Sequence, residues 1–381
     1  MTVLFVTHYS GFYGANKSLL SLMLLLRELY GVTPFVLLPK KGVLCEELDR
    51  ANIDYRVSHY YWWVNYNHGV FQWLLNKRKQ IINWNRAKRI SDSLKDVRID
   101  LVYTNSICVN MGFLIARRLG LPHIWQARES LVQFSLSLSL SLSLSLSIWA
   151  SSVNRKYLLI SEYMMGYYRK YLPVGRMVLV HNGVDLPRGV HREAKNTLRK
   201  RLQIASMGVL SEQKNQFELL QAQEVLFKRG VEVEVWLIGV GMQNYSKRLH
   251  HFVEQSGLNE LVHFVGHTDD VFQALQKMNL GVVSARDEAF GRVTIEYMLM
   301  QMPVVVSDSG ANAELMEQDV TGMVYPLGDV NALADAIEQY VNHPELLEEH
   351  GKAGKMKAKR EFSAEKNAEL IYRQILATMK G

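Results

Sequence analysis

Two successive series of short apolar runs alternate with longer helical patterns along this chain of 381 residues. The runs are rich in valine, isoleucine and leucine, which is typical of strands buried on both faces of a parallel sheet. Because strands that alternate with helices form βαβ units, the pattern predicts an α/β protein with two Rossmann-like doubly wound domains. The predicted strands are Val3–Thr7, Pro34–Leu38, Asp54–Val57, Leu101–Thr104, His123–Gln126, Tyr157–Ile160 and Val178–His181, then Ile204–Val209, Glu232–Gly239, Val262–Val265, Leu280–Ser284, Val304–Ser307 and Met323–Tyr325.

The polar stretch from Arg188 to Asn196 separates the two series. We therefore expect one domain over residues 1–187, a second over 188–361, and a final helical segment over 362–381. The length suffices for two domains, and the 48% hydrophobic and 21% charged residues are typical of a globular protein.

The cysteine content and the absence of long apolar stretches bear on where the protein works. The two cysteines, Cys45 and Cys108, provide neither a disulfide framework nor a zinc-binding spacing. No apolar stretch in the sequence reaches the length of a membrane span, and from the first apolar run we expect a first strand and not a signal peptide. We expect a cytoplasmic protein, associated at most with the inner face of a membrane.

Positive charge is concentrated in the first half of the chain. Residues 1–190 carry a net charge of +12 and the remainder −5, which gives the total of +7. One basic cluster alternates with aromatic and aliphatic residues, which suits an anionic membrane surface or a lipid-phosphate acceptor, or simply the solvated face of an amphipathic helix. No nucleic-acid motif accompanies it, so we expect no nucleic-acid partner. The cluster comprises Lys77, Arg78, Lys79, Arg86, Lys88 and Arg89, with Trp73, Ile81, Ile82 and Trp84 between them.

The segment from Glu288 to Glu296 follows a predicted strand and leads into a predicted helix. One carboxylate lies on the loop after the strand, and the second falls in about the second helical turn, where it can face the same crevice. The free amides at a helix N-terminus bind anions such as phosphate. Two carboxylates beside a phosphate site indicate a ligand with both hydroxyls and phosphates, such as a nucleotide-sugar.

This segment resembles the E-x7-E motif of retaining glycosyltransferases with the GT-B fold, in particular glycosyltransferase family 4 (glycosyl transferases group 1). The resemblance implies two Rossmann-like domains that face each other across a cleft, with a final helix that crosses back to the first domain. It also implies that Glu288 holds donor-sugar hydroxyls and that Glu296 binds ribose hydroxyls or braces the loop. The donor-binding residues implied in this segment are Glu288, Ala289, Phe290, Gly291, Arg292, Val293 and Glu296.

Three further loops resemble the family's donor site. Ser10 to Ser18 resembles the glycine-rich first loop and contributes Gly14 and Ala15, although Asn16 stands where the family often has glutamate. The loop that begins at Gly208 contains Lys214, which matches the lysine that grips the donor diphosphate, but it lacks the family's arginine. The stretch from Phe264 to Asp270 resembles the loop that holds the nucleotide base. The donor contacts implied in that loop are Val265, Gly266 and His267.

The predicted strand that begins at His123 lies in the first domain. In the family, a histidine often stands near the end of this strand. Since His123 lies at the wrong end of that strand, we expect Gln126 or Arg128 to occupy the functional position. Arg128 could neutralise the leaving diphosphate or an acceptor phosphate, or it could pair with Glu129. We take Glu288, Lys214 and Arg128 as the candidate catalytic residues.

No Asp-x-Asp occurs in the chain, so the usual carboxylate bridge from a metal to a diphosphate is absent. We therefore predict no metal site and no cofactor, since the nucleotide-sugar is a substrate. The partners expected are that donor and a glycan or lipid-linked acceptor. The alternatives are a non-catalytic nucleotide-sugar or glycan-binding protein and a sugar-nucleotide epimerase, for which no acid–base residues match. The serine–leucine alternation from Ser135 to Ser147 indicates no function.

Overall fold

The chain folds into two compact units. Unit 1 comprises Met1–Gly183 with Ala364–Gly381, and unit 2 comprises Val184–Ser363. This computed structural model describes residues 1–63, 70–129, 154–186, 190, 201–268 and 271–380, without the side chains of residues 70–74, 76 and 77. The serine–leucine tract and most of the polar stretch that we expected to separate the domains therefore lie outside the described residues, as do the side chains of Trp73 and Lys77.

Unit 1 is built on a seven-stranded sheet with the order β3-β2-β1-β4-β5-β6-β7, in which every pairing is parallel. The strands are β1 (Thr2–Thr7), β2 (Thr33–Leu38), β3 (Asp54–Val57), β4 (Leu101–Asn105), β5 (His123–Ala127), β6 (Arg155–Leu159) and β7 (Met177–Leu179). The helices are α1 (Gly14–Tyr30), α2 (Val43–Arg50), α3 (Val70–Ser93), α4 (Met111–Leu119), α5 (Glu162–Tyr168) and a 3-10 turn at Val174–Arg176.

The last helix of the chain, α13 (Ala364–Lys380), belongs to unit 1. Its buried Ile371 and Ile375 lie in the same apolar core as strand β1 and helix α1. Tyr372 stacks on Tyr30 at the end of α1, with ring centroids 4.1 Å apart. Because these aromatic and aliphatic side chains leave water together, their burial holds the C-terminus of the chain against its N-terminal segment.

Unit 2 contains a six-stranded parallel sheet with the order β10-β9-β8-β11-β12-β13. The strands are β8 (Leu202–Met207), β9 (Val233–Ile238), β10 (Val262–Gly266), β11 (Leu280–Val283), β12 (Val304–Ser307) and β13 (Gly322–Tyr325). The helices are α6 (Gln216–Lys228), α7 (Gln243–Gln255), α8 (Val271–Leu275), α9 (Arg292–Leu299), α10 (Asn312–Leu315), α11 (Val330–Asn342) and α12 (Glu345–Glu361).

The predicted fold class is confirmed, since both units are parallel α/β sheets. Every predicted strand is present, and most differ from the observed one by one or two residues at an end. Strand β8 was predicted to reach Val209 but ends at Met207, because Gly208 takes a φ of 136°, which breaks the extended backbone. In a parallel sheet the carboxyl ends of all strands meet at one edge, so the loops after β8, β10, β11 and β12 lie along one edge of unit 2.

Candidate functional site

The Glu288–Glu296 segment connects strand β11 to helix α9 in unit 2. Gly291 caps the helix with a φ of 87°, and a Cβ at this position would lie only 2.5 Å from Oδ1 of Asn312. A glycine is therefore required both for the left-handed backbone and for the close approach. Glu296 is the fifth residue of the helix, in the second turn, as predicted.

Helix α9 is tied to the neighbouring strand by a buried tyrosine. The hydroxyl of Tyr297 accepts a hydrogen bond from the amide of Met207 at 2.8 Å and donates one to the carbonyl of Ala205 at 3.2 Å. Both of these residues belong to β8. The contact sets the helix N-terminus at the sheet edge where the loop beginning at Gly208 also starts.

The main chain of Glu288 is held by the loop that follows β12. Glu288 and Gly310 form an isolated parallel bridge, and the carbonyl of Glu288 accepts a hydrogen bond from the amide of Ala311 at 2.7 Å. Gly310 has a φ of 71°, and a Cβ there would lie 2.3 Å from the Glu288 amide nitrogen. The Ser309–Glu314 stretch therefore positions the first carboxylate of the motif.

Lys214 and Glu288 form an ion pair, with 2.5 Å between Nζ and Oε2. The lysine side chain is 30% exposed and the glutamate 16%, so the pair is accessible to a ligand without being freely solvated. The loop of Lys214 is itself anchored, since its amide donates to Oγ of Ser211 and its carbonyl accepts from Oγ of Ser284. The structure thus brings together two candidate residues that are 74 positions apart in the chain.

The second carboxylate of the motif also has a cationic neighbour. Nε of Arg292 lies 2.8 Å from Oε1 of Glu296, one helical turn away on α9. The other donor-site candidates in this segment, Ala289, Phe290 and Val293, flank Gly291 around the start of the helix. The backbone dipoles of a helix align along its axis, so this N-terminus carries a partial positive charge.

Val265, Gly266 and His267 lie at the carboxyl end of β10, two strands away from β8 in the sheet order. Gly266 has a φ of 74°, and Val265 is partly exposed. The last two residues of this predicted base-binding stretch, Asp269 and Asp270, lie outside the described residues.

In unit 1, Gly14 and Ala15 form the start of helix α1 at the carboxyl end of β1. Asn16, which stands where the resemblance leads one to expect glutamate, is fully buried, and its Nδ2 donates to the carbonyls of Tyr9 and Gly11. The asparagine therefore braces the glycine-rich loop.

Arg128 follows strand β5 and is partly buried. Its guanidinium donates to Oδ1 of Asn105 at 2.6 Å and to Oδ1 of Asn182 at 2.8 Å. His123, at the opposite end of the strand, is buried and bonded to Thr104, and burial holds its pKa well below the usual range. Gln126 is also fully buried, where it accepts a hydrogen bond from the Tyr103 hydroxyl, so of the two alternatives only Arg128 reaches solvent.

Two titratable residues lie beside Arg128: Glu129, which sequence reasoning considered only as an ion-pair partner of Arg128, and His8, which it missed. His8 follows β1 directly, and its Nδ1 lies 3.1 Å from the Asn105 carbonyl oxygen. Its Nε2 lies 3.6 Å from Oε1 of Glu129. Burial lowers the pKa of His8 to about 4 and raises the pKa of Glu129, so His8 is neutral near pH 7. The position of His8 directly after β1 was the available signal, because ligands of parallel sheets bind at this edge.

The described part of the chain contains neither a metal-binding cluster nor a membrane-spanning helix. In the described ranges, no three histidine, cysteine, aspartate or glutamate residues cluster in a way that could hold a metal ion. Within that same part of the chain, every helix is too short or too polar to span a lipid bilayer.

Known proteins resemble this chain in part of the sequence and throughout the fold. Residues 188–357 match the sequence model of the family Glycosyl transferases group 1. The lipopolysaccharide core biosynthesis mannosyltransferase LpcC of Rhizobium leguminosarum is 32% identical over 127 residues, which is 33% of this chain and 36% of that protein. The capsular polysaccharide biosynthesis glycosyltransferase CapM of Staphylococcus aureus is 25% identical over 186 residues, 47% of each chain. The matches span less than half the length of these relatives.

Solved structures match over nearly the whole chain at low identity. Anabaena Alr3699/HepE in complex with UDP superposes with a TM-score of 0.81 at 19% identity, covering 99% of this chain and 100% of that one. A glycosyltransferase from Rickettsia africae superposes with a TM-score of 0.82 at 17% identity, covering 100% and 99%. At such identity these matches establish the fold. Residues 188–357 are thus similar in sequence to the family Glycosyl transferases group 1, and the whole chain has the two-domain GT-B fold of the solved structures.

Proposed function

We propose that this protein is a retaining glycosyltransferase that moves a sugar from a nucleotide-sugar to a glycan or lipid-linked acceptor in bacterial cell-surface polysaccharide synthesis. The observation that carries the proposal is the meeting of Lys214 and Glu288 beside the N-terminus of α9. A cation and the amides of a helix N-terminus suit a diphosphate, and a carboxylate suits sugar hydroxyls. The names of LpcC and CapM support the class of reaction and its setting.

In the proposed reaction the bond between the sugar's anomeric carbon and the β-phosphate oxygen breaks. The acceptor oxygen bonds to the same face of that carbon, and its proton passes to the leaving phosphate. Lys214 and the amides from Phe290 to Val293 stabilise the charge that builds on the diphosphate, with Arg292 as a further cation in unit 2. Glu288 holds donor hydroxyls, and Glu296 binds the ribose or braces the loop, so that neither glutamate acts as a nucleophile.

The first test is thermal-shift binding of UDP, GDP, ADP and CDP to the wild type and to Lys214→Ala. We expect one nucleotide to raise the melting temperature of the wild type and to do so less in the variant. If no nucleotide shifts the wild type, the transferase proposal fails. Transfer of a labelled sugar from the matching donor then tests catalysis, and the anomeric configuration of the product, determined by NMR, tests retention.

A second candidate is a non-catalytic nucleotide-sugar or glycan-binding protein on the same scaffold. It is favoured by Val209, an apolar side chain that is 59% exposed in the loop where the family has an arginine for the diphosphate. Binding of a nucleotide-sugar without transfer or hydrolysis over long incubation would support this candidate.

A basic surface on unit 1 supports the proposal that the acceptor lies on an anionic membrane. Trp84 on α3 is 45% exposed, and the guanidinium of Arg117 lies 5.3 Å from the centre of its ring. Together with Arg118 these residues line a small cavity of about 180 Å³. Amphipathic aromatic and cationic side chains of this kind bind the headgroup region of a bilayer. Flotation with anionic liposomes at low salt tests this, and failure to bind would remove the membrane from the proposal.

A further inference from the structure

The two side chains that best fit the two halves of a nucleotide-sugar bind each other in unit 2. Nζ of Lys214 and Oε2 of Glu288 lie 2.5 Å apart. The backbones on both sides are fixed, Lys214 through Ser284 and Glu288 through Ala311. A ligand that separates the two charges therefore has to turn the side chains away from each other, because the loops are held.

Lys214 has the only cationic side chain in the loop from Gly208 to Asn215. With the family's second cation missing from this loop, the lysine dominates the loop's attraction for a diphosphate. Glu288 neutralises that lysine in the absence of a ligand. A diphosphate that binds Lys214 must displace the Glu288 carboxylate. That carboxylate, which is only 16% exposed, then lies close to the diphosphate without the lysine as its partner, and this costs binding free energy.

The hydroxyls of a donor sugar offset the cost of leaving Glu288 without its cation, since a hydroxyl can donate a hydrogen bond to the displaced carboxylate. A nucleoside diphosphate without the transferred sugar has hydroxyls only on its ribose, which the proposed function places at Glu296 and not at Glu288. We propose that the Lys214–Glu288 ion pair makes the affinity for a diphosphate depend on the sugar attached to it, so that the protein discriminates the donor from the nucleoside diphosphate product. This inference rests on the proposed function. Glu288 acts here as a specificity-determining residue through its contact with Lys214.

A double-mutant cycle on nucleoside diphosphate binding tests the proposal. The variants are Glu288→Gln, Lys214→Met and the double variant, and titration calorimetry with UDP, GDP, ADP and CDP supplies the dissociation constants. Glutamine keeps the shape of the side chain and removes its charge. We expect Glu288→Gln to bind the selected nucleoside diphosphate about tenfold more tightly than the wild type. In the Lys214→Met background, the same substitution should change the affinity by less than about twofold.

The matched control is Asp287→Asn, which removes one negative charge from the adjacent position. Asp287 has a φ of 50°, a conformation that asparagine tolerates, so this variant is expected to fold. If Asp287→Asn tightens binding as much as Glu288→Gln, general repulsion explains the gain and the proposal is overturned. Equal gains from Glu288→Gln with and without Lys214 would overturn it as well.

The two proposals fail in different ways. If one diphosphate binds the wild type and Glu288→Gln binds it no more tightly, the coupling is wrong while the transferase proposal stands. If no diphosphate binds any variant, both are wrong. A further comparison uses the matching nucleotide-sugar, because its affinity relative to that of the diphosphate should fall about tenfold in Glu288→Gln.

Discussion

Arg292 and Glu296 form an ion pair one turn apart at the start of helix α9, with 2.8 Å between Nε and Oε1. An exposed pair at this spacing stabilises a helix by only about 0.3–0.5 kcal/mol. The glutamate, however, is the second carboxylate of the motif and is only 13% exposed. The pair therefore matters more for where the Glu296 carboxylate points than for the stability of the fold.

We predict that Arg292→Ala lowers the melting temperature by only a few degrees but weakens donor binding about tenfold, because Glu296 loses the group that orients it and the diphosphate loses a nearby cation. Melting curves and the KM for the donor measure the two effects. Lys352→Ala removes a more exposed pair of the same spacing, with Glu348 on helix α12, and is the control for the loss of a helical ion pair alone. Equal effects of both variants on the KM would contradict the prediction.

Gly291→Ala should destabilise unit 2 and impair the site. The substitution meets both a left-handed backbone and a Cβ position 2.5 Å from Oδ1 of Asn312. Gly328 has a nearly equal φ of 92° and no atom within 4 Å of its Cβ position, so Gly328→Ala measures the backbone strain alone. We expect about 1 kcal/mol of destabilisation for Gly328→Ala and about 2–3 kcal/mol for Gly291→Ala in urea unfolding. Equal losses would show that the contact with Asn312 relaxes without cost.

The sequence and the structure agree best where local patterns determine the structure. Apolar β-branched runs predicted β11 and β12, and the spacing of Glu288 and Glu296 placed the second carboxylate in the second turn of α9. The Arg292–Glu296 pair could have been predicted too, from its spacing of four residues. The contact between Lys214 and Glu288 could not, because it depends on which strands are neighbours in the sheet.

In unit 1, too, the contacts that the sequence could not predict depend on how distant segments pack together. Arg128 was chosen as a candidate because it follows a predicted strand, but its partners Asn105 and Asn182 come from distant segments. His8 was missed because a single histidine after a strand carries no pattern. Its neutral state follows from burial, which depends on the packing of the whole unit.

The buried His8 should make stability depend on pH. Its pKa is lowered from 6.5 to about 4, mainly by burial, so between these values the unfolded chain binds more protons than the folded one. Stability contributed by neutral His8 is therefore present above about pH 6.5 and is lost as the pH falls towards about 4, by about 3 kcal/mol in total.

Urea unfolding of the wild type and His8→Gln at about pH 7 and about pH 5 measures this effect. The loss of stability between the two values should be about 2 kcal/mol smaller in the variant. His123 is also buried, with a lowered pKa, but it contributes equally to both proteins and cancels in the comparison. An unchanged pH dependence in His8→Gln would show that folding does not lower the pKa of His8.

Turnover should not require a divalent metal. The chain has no Asp-x-Asp, and the proposed reaction uses Lys214 and the amides of α9 for the charge on the diphosphate. We expect EDTA to leave the rate of sugar transfer unchanged within about twofold, with a metal-dependent glycosyltransferase as the positive control for chelation. The prediction would be wrong if EDTA removed most of the activity and added Mg²⁺ or Mn²⁺ restored it.

Val209→Arg should add the second cation that the loop from Gly208 to Asn215 lacks. The valine side chain is 59% exposed, so an arginine can be accommodated there without displacing the core. A guanidinium bonds two phosphate oxygens at once, and we expect nucleoside diphosphate binding to tighten about tenfold. Val320→Arg adds the same charge to another exposed valine of unit 2, in the segment between β12 and β13, and should change the affinity little. Equal tightening in the two variants would mean that the added charge acts over long range, and the gain should then disappear at high salt.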